Sequence, residues 1–220
     1  MSFDPLLSDL FLAHEERHKE LDYTPDMERI AAALGRVKTG EHSFLTASGE
    51  IVVESGLKRT RRREDLAHEA SHALAAELID DQSYVKAIQY HHAHVPDMDA
   101  HLERLADHGS LHWLAPREMV DKVLEVGGLN AGAVWRLHQT AEIQLHMALK
   151  RIVTFDEDGR RGGFIAQHGR IIHASSYQYY LRCWVGDDVP DEGSFQGSGV
   201  SLYQVPGYPS MCIGLVIADD

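Results

Sequence analysis

The sequence predicts an α+β fold that is mainly helical, with a short β-sheet, over residues 1–154 and β-rich over residues 155–220. Apolar residues recur at helical spacing through most of the first part. After Phe155, short apolar runs are separated by Gly, Pro and Asp, which is typical of strands and turns. The composition, 44% hydrophobic and 25% charged, is that of an ordinary globular protein. We therefore expect two domains with a boundary near residue 155.

The helical part is expected to begin with two helices between Asp4 and Leu34, separated near Pro25. A short strand is predicted over residues 50–54, where β-branched residues lie between two glycines. Residues 61–79 contain neither Gly nor Pro and are rich in Ala and Leu, so they predict a long helix. Further helices are predicted over residues 82–94, 98–114, 117–126 and 131–152.

The C-terminal part carries short β-type runs and is expected to form a small β-rich domain. These runs cover residues 164–166, 170–172, 177–185, 200–205 and 211–217. Three roles stay open for this domain: substrate docking, signal sensing and capping of the helical domain.

Charge and composition limit the partners and the location. With 34 acidic and 21 basic residues, the formal net charge of -13 opposes binding to a polyanion. The two cysteines suit a reducing compartment. The sequence shows no basic leader and no apolar run of roughly 20 residues that could span a bilayer. We therefore expect a cytoplasmic protein with no membrane partner and no direct binding to nucleic acid.

The long predicted helix contains a metal-binding motif, His68-Glu69-Ala70-Ser71-His72. Histidines four residues apart lie on one helical face and can share a single Zn²⁺ at about 2.0–2.1 Å. Glu69 is displaced by roughly 100° around the helix axis, so it can address a water at the metal rather than the metal itself. The motif predicts His68 and His72 as metal ligands and Glu69 as the catalytic base.

The same spacing occurs a second time near the N-terminus, in the run His14-Glu15-Glu16-Arg17-His18. Charged residues stand between and after these two histidines, which indicates a solvated helix face. Between His68 and His72 the residues are small, and Ala and Leu follow them, which allows close packing beneath a metal. We therefore place the metal at the later motif.

A catalytic zinc centre needs a third protein ligand and leaves its fourth position to water. Spacing alone does not select this ligand among the many candidates downstream: His91, His92, His94, Asp97, Asp99, His101, Glu103, Asp107 and His108. Glu103 is flanked by Leu102 and Leu105 and is expected to face the core. A metal ion bound by Glu103 would balance the charge of its buried carboxylate.

Over about residues 25–152 the chain resembles the ImmA/IrrE family of metallopeptidases. The resemblance rests on the basic lead-in at residues 61–63, the motif at residues 66–72, and two later blocks, Glu103-Arg104-Leu105-Ala106 and Leu114-Ala115-Pro116. It implies a zincin-like catalytic domain with Glu103 as the third ligand, Asp107 being the alternative. It also implies a helix-turn-helix-like segment over residues 117–152. The run Gly109-Ser110-Leu111 departs from the family, which usually has a Phe-Ala-Ala-like run there.

The resemblance implies a zinc-dependent endopeptidase that cleaves a helix-turn-helix repressor and thereby switches on phage, mobile-element or stress-response genes. Two histidines and a carboxylate also accept Mn²⁺, Fe²⁺ or Co²⁺. The strand at residues 51–53 is expected to hold an extended substrate by edge pairing.

Two other functions compete with this one. A binding protein, either an anti-repressor or a toxin–antitoxin partner, would sequester the repressor around a structural metal. The glutamate beside the ligands favours catalysis, because a structural site needs no base. A DNA-binding regulator is disfavoured by the net charge.

Overall fold

The computed structural model describes residues 5–78, 97–156, 158–195 and 198–218, with only the backbone at residues 5–9, 98, 192 and 193. Within these ranges the chain forms seven α-helices and two β-sheets, which confirms the predicted α+β class. The helix predicted over residues 82–94 lies outside the described residues. No helix in the described ranges is both long enough and apolar enough to cross a bilayer.

Four helices belong to the first compact unit, which extends to Pro116. They are α1 (Pro5–Glu20), α2 (Met27–Leu34), α3 (Arg59–Leu78) and α4 (Met98–Leu114). Asp26 starts α2, where its carboxylate accepts hydrogen bonds from the backbone N–H groups of Glu28 and Arg29. Both α1 and α4 pack on α3, and fully buried leucines such as Leu66 and Leu114 fill the space between the elements. The helices predicted between residues 4 and 34, over residues 61–79 and over residues 98–114 are therefore confirmed.

The sheet of this unit has three strands, β1 (Val37–Gly40), β2 (Phe44–Leu45) and β3 (Ile51–Glu54), in the order β1-β3-β2. β3 pairs in parallel with β1 and antiparallel with β2. The strand predicted over residues 50–54 is thus the central one, with both of its edges occupied. The expectation that it holds a substrate by edge pairing is wrong. β1 and β2 are the two edge strands, and β2 contacts α3.

The second compact unit begins at Arg117 with α5 (Arg117–Gly127), α6 (Ala131–Ala141) and α7 (Leu145–Val153). The sequence predicts one helix over residues 131–152, but the structure has two. Glu142 adopts the left-handed conformation, with φ 52° and ψ 42°, and ends α6. A residue in that conformation cannot continue a right-handed helix, so the chain turns before α7 begins.

An antiparallel sheet completes this unit, with strands β4 (Arg161–Gln167), β5 (Arg170–Tyr177), β6 (Ser198–Gln204) and β7 (Met211–Ala218) in the order β5-β4-β7-β6. One core forms around Phe164 and Val216. The β-type runs predicted in this region lie within these strands, except that residues 178–185 and Val205 form no strand.

The boundary between the two compact units lies between Pro116 and Arg117, whereas the sequence predicts a domain boundary near residue 155. The physical reason is the packing of α7, which contacts β4 and β5 and buries Leu149 and Ile152. A Cβ added at Gly163 of β4 would lie 2.7 Å from Leu149 Cδ1, so helix and sheet are in close contact. The change from helical to β pattern therefore falls inside one compact unit.

Candidate metal centre

Helix α3 places the two histidines of the motif on one accessible face. It runs for 20 residues without Gly or Pro, and it buries Leu66, Ala67 and Ala70. The side chains of His68 and His72 stay 24% and 22% exposed. Their rings meet edge to face, with centroids 4.8 Å apart. Both imidazoles are thus held by a buried helix and are still open to small ligands.

Glu103 of α4 lies against both histidines. Its Oε2 is 3.2 Å from Nε2 of His68, and its Oε1 is 3.4 Å from Nε2 of His72. The two Nε2 atoms are 3.1 Å apart. The structure therefore brings together the three side chains that the sequence predicts as metal ligands. The side chain of Glu103 is 61% exposed, so the expectation that it faces the core is wrong.

The separations between these atoms suit a tetrahedral ion. Atoms bound at about 2.0–2.1 Å to a tetrahedral Zn²⁺ lie roughly 3.3 Å from one another. Where both Nε2 atoms carry lone pairs, a cation between them removes their mutual repulsion. Two imidazole nitrogens and one carboxylate oxygen are also a ligand set of catalytic zinc sites, with the fourth position left open. The residues present fit Zn²⁺, and the same donors accept Mn²⁺, Fe²⁺ or Co²⁺.

Asp107, the alternative third ligand, contacts a different atom of His68. Its Oδ1 lies 3.1 Å from Nδ1 of His68, whereas Glu103 and His72 face Nε2 of the same ring. When Nδ1–H donates to a carboxylate, Nε2 keeps its lone pair for a metal. The geometry therefore favours Glu103 as the third ligand and Asp107 as the residue that orients His68.

The surroundings shift the pKa values of the two histidines in opposite directions. Burial opposes the charged form of His68, but its hydrogen bond to Asp107 and three nearby carboxylates outweigh burial and raise the pKa. At His72, burial and the charge of His68 prevail over Glu103, and the pKa is lowered. The lowered pKa keeps His72 in the neutral form that binds metals.

Glu69 lies next to the histidines and is only 6% exposed. Burial raises the pKa of its carboxyl to about 6. The charge of His68 and a hydrogen bond from the backbone N–H of Leu45 lower this pKa, whereas Glu103 and Asp65 raise it. A carboxylate with a pKa close to neutrality accepts protons more readily than an ordinary glutamate. Glu69 has the environment expected of a general base.

A cavity of about 520 Å³ opens beside these residues. His68, Glu69, His72 and Glu103 form part of its polar wall. Much of the remaining wall is apolar and comes from α1, β2 and α4: Leu10, Phe44, Leu45, Leu102 and Leu105. The volume lies in the range of small-molecule and peptide sites. Polar groups suited to hydrolysis thus adjoin space for apolar side chains.

The second His-Glu-x-x-His motif is buried, so the expectation that it lies on a solvated helix face is wrong. His14 and His18 are each 1% exposed and pack on the ring of Trp113. Nδ1–H of His14 donates to the carbonyl oxygen of Leu10 at 2.6 Å, and Nε2–H of His18 donates to that of Thr24 at 3.0 Å. These histidines take part in helix packing.

The remaining candidate ligands do not join a metal cluster in the described part of the chain. There, His68, His72 and Glu103 are the one group of three metal-ligating side chains whose ligand atoms lie close enough to share an ion. Asp97 caps α4 and accepts a hydrogen bond from the backbone N–H of Ala100 at 3.0 Å. His91, His92 and His94 lie outside the described residues.

Sequence reasoning missed two features of the site. Leu45, which donates to Glu69, belongs to a strand of two residues, and such a strand is too short to produce a hydrophobic pattern. The orienting contact of Asp107 was also missed. Its position four residues after Glu103 indicates a shared helical face, and that spacing was the available signal.

No protein-family model and no curated protein matches the chain. Among solved structures, its fold is similar to that of a Mycobacterium tuberculosis transcriptional regulator, with a TM-score of 0.59 over 96% of this chain and 76% of that one. The two sequences are 13% identical, so this likeness concerns the fold alone.

Proposed function

We propose that the chain is a zinc-dependent metallo-endopeptidase of the ImmA/IrrE type. One observation carries the proposal. His68, His72 and Glu103 place their ligand atoms 3.1–3.4 Å apart, the separation that a tetrahedral ion requires, directly beside the buried carboxylate of Glu69. A structural metal has no use for a base next to its ligands. The arrangement supports hydrolysis.

Each residue has a distinct role in the proposed reaction. A bound Zn²⁺ would lower the pKa of a water and polarise the scissile carbonyl. Glu69 accepts a proton from the attacking water and then delivers it to the nitrogen of the leaving amine. Asp107 holds Nδ1–H of His68 and thereby fixes the orientation of that ring.

The edge strand β2 supports a peptide as the substrate. β2 pairs with β3 on one side, and no strand within the described ranges pairs with its other side. Its residues Phe44 and Leu45 line the cavity next to Glu69. An extended peptide can lie along such an edge, with its apolar side chains in the cavity.

The proposed substrate is a helix-turn-helix repressor, whose cleavage relieves repression of phage, mobile-element or stress-response genes. The test uses the zinc-loaded protein and the helix-turn-helix regulator encoded nearest to it, with intact mass as the measurement. We expect cleavage at one defined bond, which a metal chelator abolishes and added Zn²⁺ restores. If the regulator binds tightly but is not cleaved, the result would instead support the competing hypothesis, a binding protein that sequesters the regulator and holds a structural metal.

Replacing Asp107 is predicted to weaken metal binding. Asp107→Ala removes the partner of His68 Nδ1, and the loss of such an outer partner typically lowers metal affinity by about 10–100-fold. Asp107→Asn keeps a hydrogen-bond acceptor and should lose less. Zinc affinity is measured by competition with a chromophoric chelator. Asp99→Ala, an exposed aspartate on the same helix, is the control, and an equal loss there would refute the specific role of Asp107.

A further inference from the structure

Helices α1, α3 and α4 meet at three residues directly behind the candidate metal centre: His14, Ser71 and Gly109. Ser71 is fully buried on α3, one residue before His72. Gly109 is buried on α4, two residues after Asp107. His14 of α1 lies against both of them. The metal centre thus takes its side chains from α3 and α4, and these two helices contact each other at this junction.

His14 is fixed at both ring nitrogens. Nδ1–H donates to the Leu10 carbonyl oxygen, and Nε2 lies 3.1 Å from Oγ of Ser71. Burial is the main cause that lowers the pKa of His14 to about 4, so the ring is neutral at pH 7 and Nε2 accepts. The hydroxyl of Ser71 also lies 2.8 Å from the carbonyl oxygen of Ala67 and shares its proton between two acceptors. Because both nitrogens are engaged, His14 has none to offer a metal.

The absence of a side chain at Gly109 makes room for this imidazole. A Cβ at that position would lie 2.7 Å from Cε1 and 2.8 Å from Nε2 of His14, and 2.9 Å from Oγ of Ser71. All three distances are shorter than carbon contacts tolerate. The ring cannot swing away easily, because it is hydrogen-bonded and also packs on Trp113 with centroids 4.7 Å apart. The imidazole of His14 therefore fills the space beside Gly109 where α3 and α4 approach each other.

We propose that His14 is a positioning residue that sets the approach of α4 to α3 and thereby brings Glu103 and Asp107 to His68 and His72. This inference rests on the proposed metal centre. The ligand separations of 3.1–3.4 Å join side chains from two helices, so a shift of a few tenths of an ångström between these helices alters them directly. The second motif would then serve the metal site without binding metal itself.

The test is a double-mutant cycle between His14 and Gly109 in the full chain. His14→Ala, Gly109→Ala and the double variant are compared with the wild type for zinc affinity and melting temperature, and for the visible spectrum of the Co²⁺-loaded protein. Gly109→Ala should lower zinc affinity by about tenfold or more and change the Co²⁺ spectrum, as for other supports of a metal site. His14→Ala should lower the affinity as well. In the double variant the ring is gone and the new methyl group keeps one close contact, at 2.9 Å to Oγ of Ser71, so affinity should be higher than the two single losses predict.

His18 offers a matched control, because it is an equally buried histidine on α1 that also packs on Trp113. His18→Ala should lower the melting temperature without rescuing Gly109→Ala. His14→Gln serves if His14→Ala does not fold, and should retain more affinity because an amide can still bond to Ser71.

The outcomes separate the inference from the proposed function. If the folded variants bind zinc with the wild-type affinity and show an unchanged Co²⁺ spectrum, the positioning role is overturned and the metal centre stands. Equal rescue by His18→Ala would overturn it as well. A wild type that binds neither Zn²⁺ nor Co²⁺ would overturn both proposals.

Discussion

Glu69→Gln is expected to lower kcat for peptide cleavage sharply while zinc binding is retained. The side chain is 6% exposed, and its pKa of about 6 suits proton transfer near neutral pH, which an amide cannot perform. General-base catalysis typically contributes about 10²–10⁴-fold, so kcat should fall by that factor. Gln has nearly the same shape as Glu and still accepts the hydrogen bond from Leu45, so the fold should persist. Initial rates on the cleaved regulator, together with metal content, provide the measurement.

The second motif supplies a matched control for this substitution. Glu15 follows His14 as Glu69 follows His68, but its carboxylate accepts a hydrogen bond from the hydroxyl group of Tyr23 at 3.2 Å. Glu15→Gln should therefore leave kcat unchanged. If Glu69→Gln cleaves at the wild-type rate, Glu69 is not the base and the role assigned to it is refuted.

The part of the site that lies within one helix could be predicted from the sequence. Ligand spacing on α3 follows from 3.6 residues per turn, so His68 and His72 face the same side whatever the rest of the chain does. The displacement of Glu69 around the axis follows in the same way. Local geometry of this kind needs no knowledge of tertiary packing.

The part that depends on helix crossings could not be predicted in the same way. Charged neighbours indicate a solvated face for His14 and His18, yet α1 buries these two histidines against Trp113 and turns the charges outward. The expectation that Glu103 faces the core was likewise wrong. The local pattern of Leu and Ala does not reveal how α4 is rotated against α3. A hydrophobic pattern identifies a buried stripe but not its partner.

The junction behind the metal centre gives a physical reason for the glycine at position 109. The imidazole of His14 lies where a side chain at this position would start, so even a methyl group would meet it at 2.7 Å. This glycine is explained only together with a residue 95 positions earlier in the sequence.

His72→Ala is expected to remove the metal and, with it, the activity. The substitution takes away one of three protein ligands, so zinc affinity should fall by more than the roughly 100-fold that losing an outer partner costs. Asp107 cannot replace the lost nitrogen, because it is held at Nδ1 of His68 while the other ligand atoms face Nε2. Metal content after dialysis and chelator competition both measure the loss.

His18→Ala is the control for this loss, since it removes the corresponding histidine of the second motif. It should destabilise the fold, because His18 is 1% exposed and contacts Trp113, but it should keep stoichiometric zinc. If instead His18→Ala loses the metal and His72→Ala keeps it, the ion is held at the N-terminal motif. The two variants differ in which pair of histidines has its Nε2 atoms close together. The Nε2 atoms of His68 and His72 lie near each other and near Glu103, whereas His18 donates Nε2–H to the carbonyl oxygen of Thr24. We therefore expect metal binding to depend on His72 and not on His18.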